Sequence, residues 1–396
     1  MTMSLRLPVA SGGLETWRLR DAQPFIVPTS PPRFDRIAYS AVHVVADPFT
    51  TSDPWLSAAL DWDATLAYRQ RLWSLGLGVA EAMDTAQRGM GLDWPISLEL
   101  IRRTLDAAKD VPGALVASGC GTDHLAADAA TSVDDVIRAY EEQMAAIEAL
   151  GGKLIVMASR ALAKVATGPA DYERVYDRIL MQSKQPVILH WLGNMFDPAL
   201  AGYWGSRDVD RAMDTALGVI AANPGKVDGI KISLLDKSKE IAMRRRLPEG
   251  VRMYTGDDFD YAELIAGDGI GTASNHRQSD ALLGIFDAIA PAASAALAAL
   301  ANGDRARFDA ILAPTVPLSR HVFQAPTRFY KTGIVFLAWI NGRQSHCTMV
   351  GGQQSARSLL HFAEAFRLAD AAGLIEDPVL AVGRMKHLLA LHGVED

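Results

Sequence analysis

The chain has 396 residues, of which 49% are hydrophobic and 21% charged, enough apolar material for a large buried core. Its net charge is −7, and its one basic cluster, Arg244-Arg245-Arg246, is interpreted as a solvated helix end, which argues against a nucleic-acid partner. Membrane spans need roughly 18 apolar residues, and no run approaches that length. The N-terminus lacks the apolar segment of a signal peptide. Two cysteines are too few for a disulfide framework. We therefore expect a cytoplasmic protein.

Residues 1–35 are rich in Pro and Ser and predict an N-terminal arm or an irregular extension. After them, short apolar runs with turn signals nearby alternate with segments long enough for a helix. The predicted strands are Ile37–Val45, Leu77–Met83, Ala114–Ser118, Leu154–Ala158, Pro186–His190, Asp228–Ser233, Val251–Tyr254 and Gly269–Ala273. The clearest helical periods between them are Val133–Leu150 and Asp171–Gln182. Beyond residue 273 only helices are predicted, over Asp280–Ala301, Asp304–Leu318 and Ser355–Ala372.

This alternation favours an α/β fold, a parallel (β/α)8 TIM barrel, over an open sheet. No Gly-x-Gly-x-x-Gly opens a helix after the first strand, so a dinucleotide-binding fold lacks its usual signature. We predict an arm over residues 1–35, a barrel over 36–279, and a C-terminal helical extension over 280–396 that completes and flanks the barrel.

The segment Val227–Ser233 predicts a buried strand that carries one lysine, Lys231, within its apolar run. Lysine is rarely buried unless it is paired or reactive. A desolvated ammonium group loses its charge readily, and the neutral amine is a nucleophile for carbonyl carbons. On spacing alone, an edge strand whose lysine reaches water explains the pattern equally well.

Five motifs stand in a specific order along the chain. They are Arg36-Ile37-Ala38 through Val45-Ala46-Asp47-Pro48-Phe49, Pro186-Val187-Ile188-Leu189, Gly229-Ile230-Lys231, Thr255-Gly256-Asp257-Asp258 and Gly267-Asp268-Gly269-Ile270. This order resembles the dihydrodipicolinate synthase and N-acetylneuraminate lyase superfamily over about residues 35–390, as a divergent bacterial branch. The resemblance implies a class I aldolase in which Lys231 forms an imine with substrate. Gly256, in the fourth motif, is assigned to substrate binding. It also implies a homo-oligomer, either a dimer or a tetramer, that needs no cofactor.

The first departure from the family follows the fifth strand, where a catalytic tyrosine is usual and this chain has His190-Trp191. Histidine can relay protons near neutral pH, and a position at the C-terminal end of a barrel strand favours a catalytic role. We therefore assign His190 as the proton shuttle and Trp191 as a pocket wall. A packed core histidine is the alternative.

The second departure follows the second strand, where the family holds a keto-acid carboxylate with Gly-Thr-Thr-Gly-Glu. This chain has Asp84 and Thr85 there, and we assign both to substrate binding together with Asp47, at the end of the first strand. An ionised Asp84 within about 4–6 Å would repel a substrate carboxylate unless Arg88 compensates, whereas carboxylates accept hydrogen bonds from sugar hydroxyls. Alternatively, Asp84 and Asp47 pair with Arg88 or Lys231 in a structural network.

Other candidates follow further strands. Asn275 and His276 follow the eighth predicted strand and Arg160 the fourth, so all three are assigned to substrate binding. A structural loop is the alternative for His276, and a loop cap is the alternative to anion binding for Arg160. His43, within the first strand, and Lys331 are interpreted as structural.

Three functional hypotheses remain. The leading one is a Schiff-base lyase or aldolase that cleaves or dehydrates a small, sugar-derived keto compound. The second is a metal-dependent sugar isomerase or epimerase with Asp47, Asp84, His190 and His276 around a divalent ion, although no metal-ligand spacing supports it. The third is a barrel that binds a small molecule without chemistry.

Overall fold

The structure, a computed structural model, describes residues 3–21, 25, 29–83, 88–268 and 277–394. The chain begins with an antiparallel hairpin of β1 (Ser4–Pro8) and β2 (Leu14–Arg18). Of the two forms predicted for this segment, an arm or an irregular extension, these residues adopt an ordered arm. Gly12 and Gly13 adopt positive φ in the turn, and Trp17 Nε1 donates to Asp370 Oδ2 at 2.9 Å. Contact with the C-terminal part of the chain therefore stabilises a hairpin too short to be stable alone.

Eight parallel strands close a barrel, which confirms the predicted fold class. They are β3 (Ala38–Ala41), β4 (Gly78–Glu81), β5 (Val116–Cys120), β6 (Lys153–Val156), β7 (Val187–Leu192), β8 (Val227–Ser233), β9 (Arg252–Thr255) and β10 (Asp280–Leu283). Each strand pairs with the next in chain order, and β10 closes the barrel by pairing with both β9 and β3.

Helices surround the barrel and form the C-terminal extension. They are α1 (Trp62–Ser74), α2 (Trp94–Ala108), α3 (Val133–Ala149), α4 (Arg160–Val165), α5 (Pro169–Gln182), α6 (Val209–Ala222), α7 (Lys237–Arg244), α8 (Tyr261–Ala266), α9 (Ile285–Ala288), α10 (Ala290–Ala301), α11 (Arg305–Leu312), α12 (Val316–Val322), α13 (Tyr330–Ile340), α14 (Leu359–Ala371) and α15 (Pro378–Leu391). The two helices predicted most clearly, within Val133–Leu150 and Asp171–Gln182, are confirmed as α3 and α5. None of the described helices is long and apolar enough to span a membrane.

The barrel strands separate two cores because successive side chains point to opposite faces. The interior core contains Tyr39, Ile155, Ile188, Tyr254 and Leu282 together with smaller residues. The outer core, between strands and helices, takes the alternate positions of the same strands. A polar residue that lies two positions along a strand from one of these interior side chains therefore faces the inside of the barrel.

The position of the eighth strand was predicted wrongly. The structure has Asp280–Leu283 as β10, just beyond the boundary predicted at residue 279, and the helix predicted from Asp280 begins at Ile285 instead. The predicted strand Gly269–Ala273 lies outside the described residues. Four residues of Asp, Ala and Leu carry no strand signal of their own. These four residues form a strand because β3 and β9 pair with its two edges.

The arginine triplet is solvated only in part. Arg244, the last residue of α7, is 1% exposed and donates to the carbonyl oxygen of Leu264 and to Ser279 Oγ, each at 3.2 Å. Arg245 and Arg246 are exposed and pair with Asp268 and Asp214. The interpretation as a solvated helix end was therefore wrong for Arg244, because the side chain extends under α8.

Candidate active site

Lys231 and His190 lie side by side inside the barrel. The register of β7 and β8 pairs the two residues, and they are only 7% and 1% exposed. The residues that flank Lys231, Ile230 and Ile232, belong to the outer core, so strand alternation directs Lys231 inward. The structure therefore brings together the two residues assigned to catalysis from the sequence.

Gly256 leaves space for the Lys231 side chain. A Cβ atom at position 256 would lie 2.6 Å from Lys231 Cε and 2.5 Å from the carbonyl oxygen of Ile232. These distances are far inside van der Waals contact, so any side chain here would displace the lysine. Lys231 can therefore extend past the end of β9 towards the C-terminal mouth of the barrel, where TIM-barrel active sites lie.

Ser233 belongs to the same group, and sequence reasoning missed it. Its Oγ lies 3.4 Å from Nε2 of His190, and the residue is 1% exposed. The signal was present, because Ser233 lies two positions beyond Lys231 and residues two apart on a strand share a face. A hydroxyl group in this place can orient the imidazole ring.

Asp258 is a buried carboxyl group close to Lys231. Its Oδ1 accepts a hydrogen bond from the backbone N–H of Ile285 at 2.9 Å. Burial raises the pKa of Asp258 to about 7, although the charges of Lys231 and Lys331 act in the opposite direction. A carboxyl group that titrates near neutrality can exchange protons with a neighbouring amine at physiological pH.

A second buried lysine, Lys331, reaches the barrel from α13. Its Nζ donates to the carbonyl oxygen of Ala41 and, at 2.7 Å, to Oδ2 of Asp287. His43 Nδ1 lies 3.0 Å from the same carboxylate. Burial opposes ionisation here, but the two basic partners hold the pKa of Asp287 well below its usual range. This ion-paired arrangement fits the structural roles predicted for His43 and Lys331.

Trp191 does not line the barrel interior with His190. It belongs to the outer core, where its ring packs edge-on against Trp204 with centroids 6.4 Å apart. Consecutive residues of a strand point to opposite faces, so His190 and Trp191 cannot form one pocket wall. The assignment of Trp191 as a wall of the substrate pocket with His190 is corrected accordingly.

The remaining candidates divide into two groups. Asp84, Thr85, Asn275 and His276 lie outside the described residues, so their roles stay predictions. Asp47 is in the loop after β3, where its Oδ1 accepts from the N–H of Phe49 at 2.8 Å and stabilises a turn. Within the described part of the chain, no cluster of three or more His, Cys, Asp or Glu could hold a metal ion. Two members of the proposed metal set, Asp84 and His276, are outside that part.

A cleft lies at the C-terminal ends of β5, β6 and β7. It contains a cavity of about 190 Å³ and an adjoining one of about 250 Å³, which share Arg88, Gly89, Arg160 and Asp197 in their walls. Leu192, two residues beyond His190, also lines it. The cleft therefore begins beside the strand that carries His190.

Arg88 is already occupied by partners in this wall. Its Nε and Nη2 donate to Asp123 at 3.0 and 2.7 Å, and its Nη1 donates to the carbonyl oxygen of Gly119 at 2.6 Å. The side chain is buried. The cation considered as a counter-charge for Asp84 is therefore paired with Asp123.

A buried carboxyl group behind the barrel predicts pH-dependent stability. Burial raises the pKa of Glu240 to about 8, and Ser279 Oγ donates to its Oε1 at 2.7 Å. The folded protein holds a proton that the unfolded chain releases, so this contribution to stability is complete below the usual glutamate pKa, near 4.3, and is lost as pH rises to about 8. The free energy of unfolding should fall between pH 5 and pH 8 in wild type. In Glu240→Gln this fall should be smaller by at least about 1.4 kcal/mol, the equivalent of one pKa unit.

Denaturant unfolding at pH 5 and pH 8 measures this difference. Glu263→Gln is the matched control, because Glu263 has a side chain that is 67% exposed and pairs with Lys237 at the surface. An identical pH dependence in wild type and Glu240→Gln would contradict the prediction.

The comparisons with known proteins agree with this architecture. Residues 5–394 match the family described as "Protein of unknown function (DUF993)". The chain is a DUF993 protein. No curated protein matches the DUF993 chain.

Among solved structures, the DUF993 chain is similar to dihydrodipicolinate synthase from Bacillus clausii, at 16% identity and TM-score 0.59, covering 84% of this chain and 97% of that one. It is also similar to YagE, a prophage protein of the dihydrodipicolinic acid synthase family from E. coli K12 in complex with pyruvate. That match has 15% identity and TM-score 0.60 and covers 91% of this chain and 99% of that one. These likenesses confirm the predicted fold resemblance.

Proposed function

We propose that this protein is a Schiff-base-forming lyase or aldolase that acts on a small carbonyl compound. The observation that carries the proposal is the placement of Lys231: its amine-bearing side chain is inside the barrel, beside His190 and across the glycine at position 256. A buried lysine next to a residue that transfers protons is the arrangement that imine chemistry needs.

The chemistry begins with the loss of a proton from Lys231, which the carboxylate of Asp258 can accept because its pKa is raised by burial to about 7. The neutral amine attacks the carbonyl carbon, and loss of water gives an iminium ion. His190 takes the proton of the hydroxyl group next to the scissile C–C bond, and the bond breaks to an aldehyde and an enamine. His190 returns the proton to the enamine carbon, and water hydrolyses the imine. Dehydration of the same iminium is the alternative outcome.

The substrate is proposed to be a sugar-derived keto compound rather than a simple 2-keto acid. The segment that would hold a keto-acid carboxylate contains Asp84 in place of a Thr-Thr pair. Arg88, the nearby cation in the sequence, is bound to Asp123. An unneutralised Asp84 would repel an adjacent carboxylate but accept hydrogen bonds from hydroxyl groups.

We propose that the protein works in the cytoplasm as a dimer or tetramer. Phe49, Trp55 and Leu56, in the loop after β3, are 93%, 78% and 78% exposed. A contiguous exposed apolar patch marks a protein contact, and these three exposed side chains belong to one loop. Analytical ultracentrifugation should therefore show a species larger than one 42.7 kDa chain; a monomer at micromolar concentration would contradict this.

The test of the function is reductive trapping. Purified protein is incubated with borohydride and a panel of carbonyl compounds that includes pyruvate, dihydroxyacetone and its phosphate, and intact mass is measured. We expect a stable adduct with a polyhydroxy ketone, and peptide mapping should place it on Lys231. If no member of the panel gives an adduct, the protein is a binding barrel without imine chemistry.

A further inference from the structure

We propose that the cleft beside His190 binds the phosphate group of the substrate, so that the substrate is a phosphorylated keto compound. This inference rests on the proposed function for the identity of the ligand. The binding site itself is formed by Arg160 and Arg328, which lie on different elements and line the same cavity of about 250 Å³.

Arg328 is a cation with no polar partner in the described part of the chain. It lies in the short 3₁₀ turn Thr327–Phe329, and its guanidinium carbon is 4.9 Å from the centre of the Phe329 ring. Arg88, in the wall of the same cavity, is by contrast paired with Asp123. A guanidinium group held by a ring face keeps its donors available for an anion.

Arg160 is only partly used by its partner. Its Nε donates to Asp197, whereas its two terminal nitrogens have no hydrogen-bond partner among the described residues. The Nη1 atom lies over Gly89, 3.6 Å from the position of a Cβ there, so no side chain of residue 89 covers it. Terminal guanidinium nitrogens are the donors that bind phosphate oxygens in pairs.

The charge of the wall favours an anion. In the cavity of about 250 Å³, Asp123 pairs with Arg88 and Asp197 pairs with Arg160, so the charge of Arg328 is left in excess. The chain as a whole carries a net charge of −7, so this local excess of positive charge is opposite to the average of the molecule. A phosphate monoester offers close to two negative charges and three acceptor oxygens, which can bind the guanidinium group of Arg328 and the terminal nitrogens of Arg160 at once.

The position of the cleft matches an imine formed at Lys231. Leu192, in the cleft wall, lies two residues beyond His190 on the same strand, and Met157 joins the cleft to the interior core. A ligand with its carbonyl carbon at Lys231 could therefore direct its far end into the cleft.

Binding of inorganic phosphate tests the site without any imine. Thermal melting is followed against phosphate concentration at constant ionic strength, in wild type, Arg328→Ala, Arg160→Ala and Arg305→Ala. Arg305 is the control, because it pairs with Asp309 within α11, outside the cleft. Loss of one charge-assisted hydrogen-bonding partner should raise the half-saturating phosphate concentration roughly tenfold to a hundredfold in each cleft variant, and leave Arg305→Ala as wild type. Equal half-saturation in wild type and both cleft variants, or no saturable effect of phosphate in wild type, would overturn the site.

Trapping with a matched pair of ketones tests the substrate class. Borohydride reduction with dihydroxyacetone phosphate should reach half-saturation at a lower ketone concentration than with dihydroxyacetone, and Arg328→Ala should remove that preference while dihydroxyacetone is still trapped. No preference for the phosphorylated ketone in wild type would overturn the proposed substrate class. The two proposals can fail separately. If wild type gives no adduct but Lys231→Met still binds phosphate, the imine mechanism is wrong and the phosphate site stands.

Discussion

Lys231→Met is expected to abolish borohydride trapping and turnover. Methionine keeps the length and apolar stem of the side chain but removes the amine, so no nucleophile remains at the carbonyl carbon. The packing around Gly256, where Lys231 Cε passes within 2.6 Å of the Cβ position, should tolerate this replacement. Intact mass after reduction with the substrate found by trapping measures the result, and thermal melting shows that the variant folds.

The competing lysine provides the control for this result. Lys331 is also buried, but its Nζ is bound to Asp287 and to the carbonyl oxygen of Ala41. Burial lowers the pKa of Lys331, but its ion pair with Asp287 acts in the opposite direction and favours the protonated ammonium, which is not nucleophilic. Peptide mapping of trapped wild type should therefore find the adduct on Lys231 and none on Lys331. Undiminished trapping in Lys231→Met would exclude the Schiff-base role of this residue.

His190→Gln should lower kcat by roughly 10²–10⁴-fold, the usual contribution of a positioned acid–base group. Glutamine preserves the size and a hydrogen bond to Ser233, which lies 3.4 Å from His190 Nε2, but it cannot carry a proton. The rate of trapping at Lys231 should change much less than kcat, because attack by the amine precedes the proton transfer assigned to His190. Steady-state kinetics together with the rate of adduct formation separates the two steps.

Two variants decide whether this effect belongs to His190. Trp191→Phe alters the next residue, which lies on the opposite face of β7 and packs against Trp204, so kcat should stay within about threefold of wild type. Asp258→Asn removes the other group expected to titrate near neutrality, since burial raises the pKa of Asp258 to about 7. If the pH dependence of kcat persists in His190→Gln and disappears in Asp258→Asn, the titrating group is Asp258. A loss below tenfold in His190→Gln with an unchanged pH profile would return His190 to a structural role.

The sequence by itself was sufficient for the barrel and for its central pair of polar residues. Apolar runs of strand length alternate with helical periods, and this local pattern is what a (β/α)8 fold requires. Lys231 was found because a basic residue within an apolar run stands out without any knowledge of its neighbours in space. His190 was found because it replaces the tyrosine of the resembled family at the end of the fifth predicted strand. Their pairing across β7 and β8 then follows from the order of the strands.

Tertiary structure decided the features that depend on residues far apart in the chain. Asp280–Leu283 is a strand because β9 and β3 bind its two edges, and no pattern within four residues could show this. Trp191 and His190 lie on opposite faces because β7 continues to Leu192, paired with β8, beyond the strand end predicted at His190. Arg328 joins Arg160 at one cavity across more than 160 residues of chain. The hydrophobic periodicity of a segment predicts which of its own faces is buried. A site that combines residues from several segments exists only after the barrel has closed.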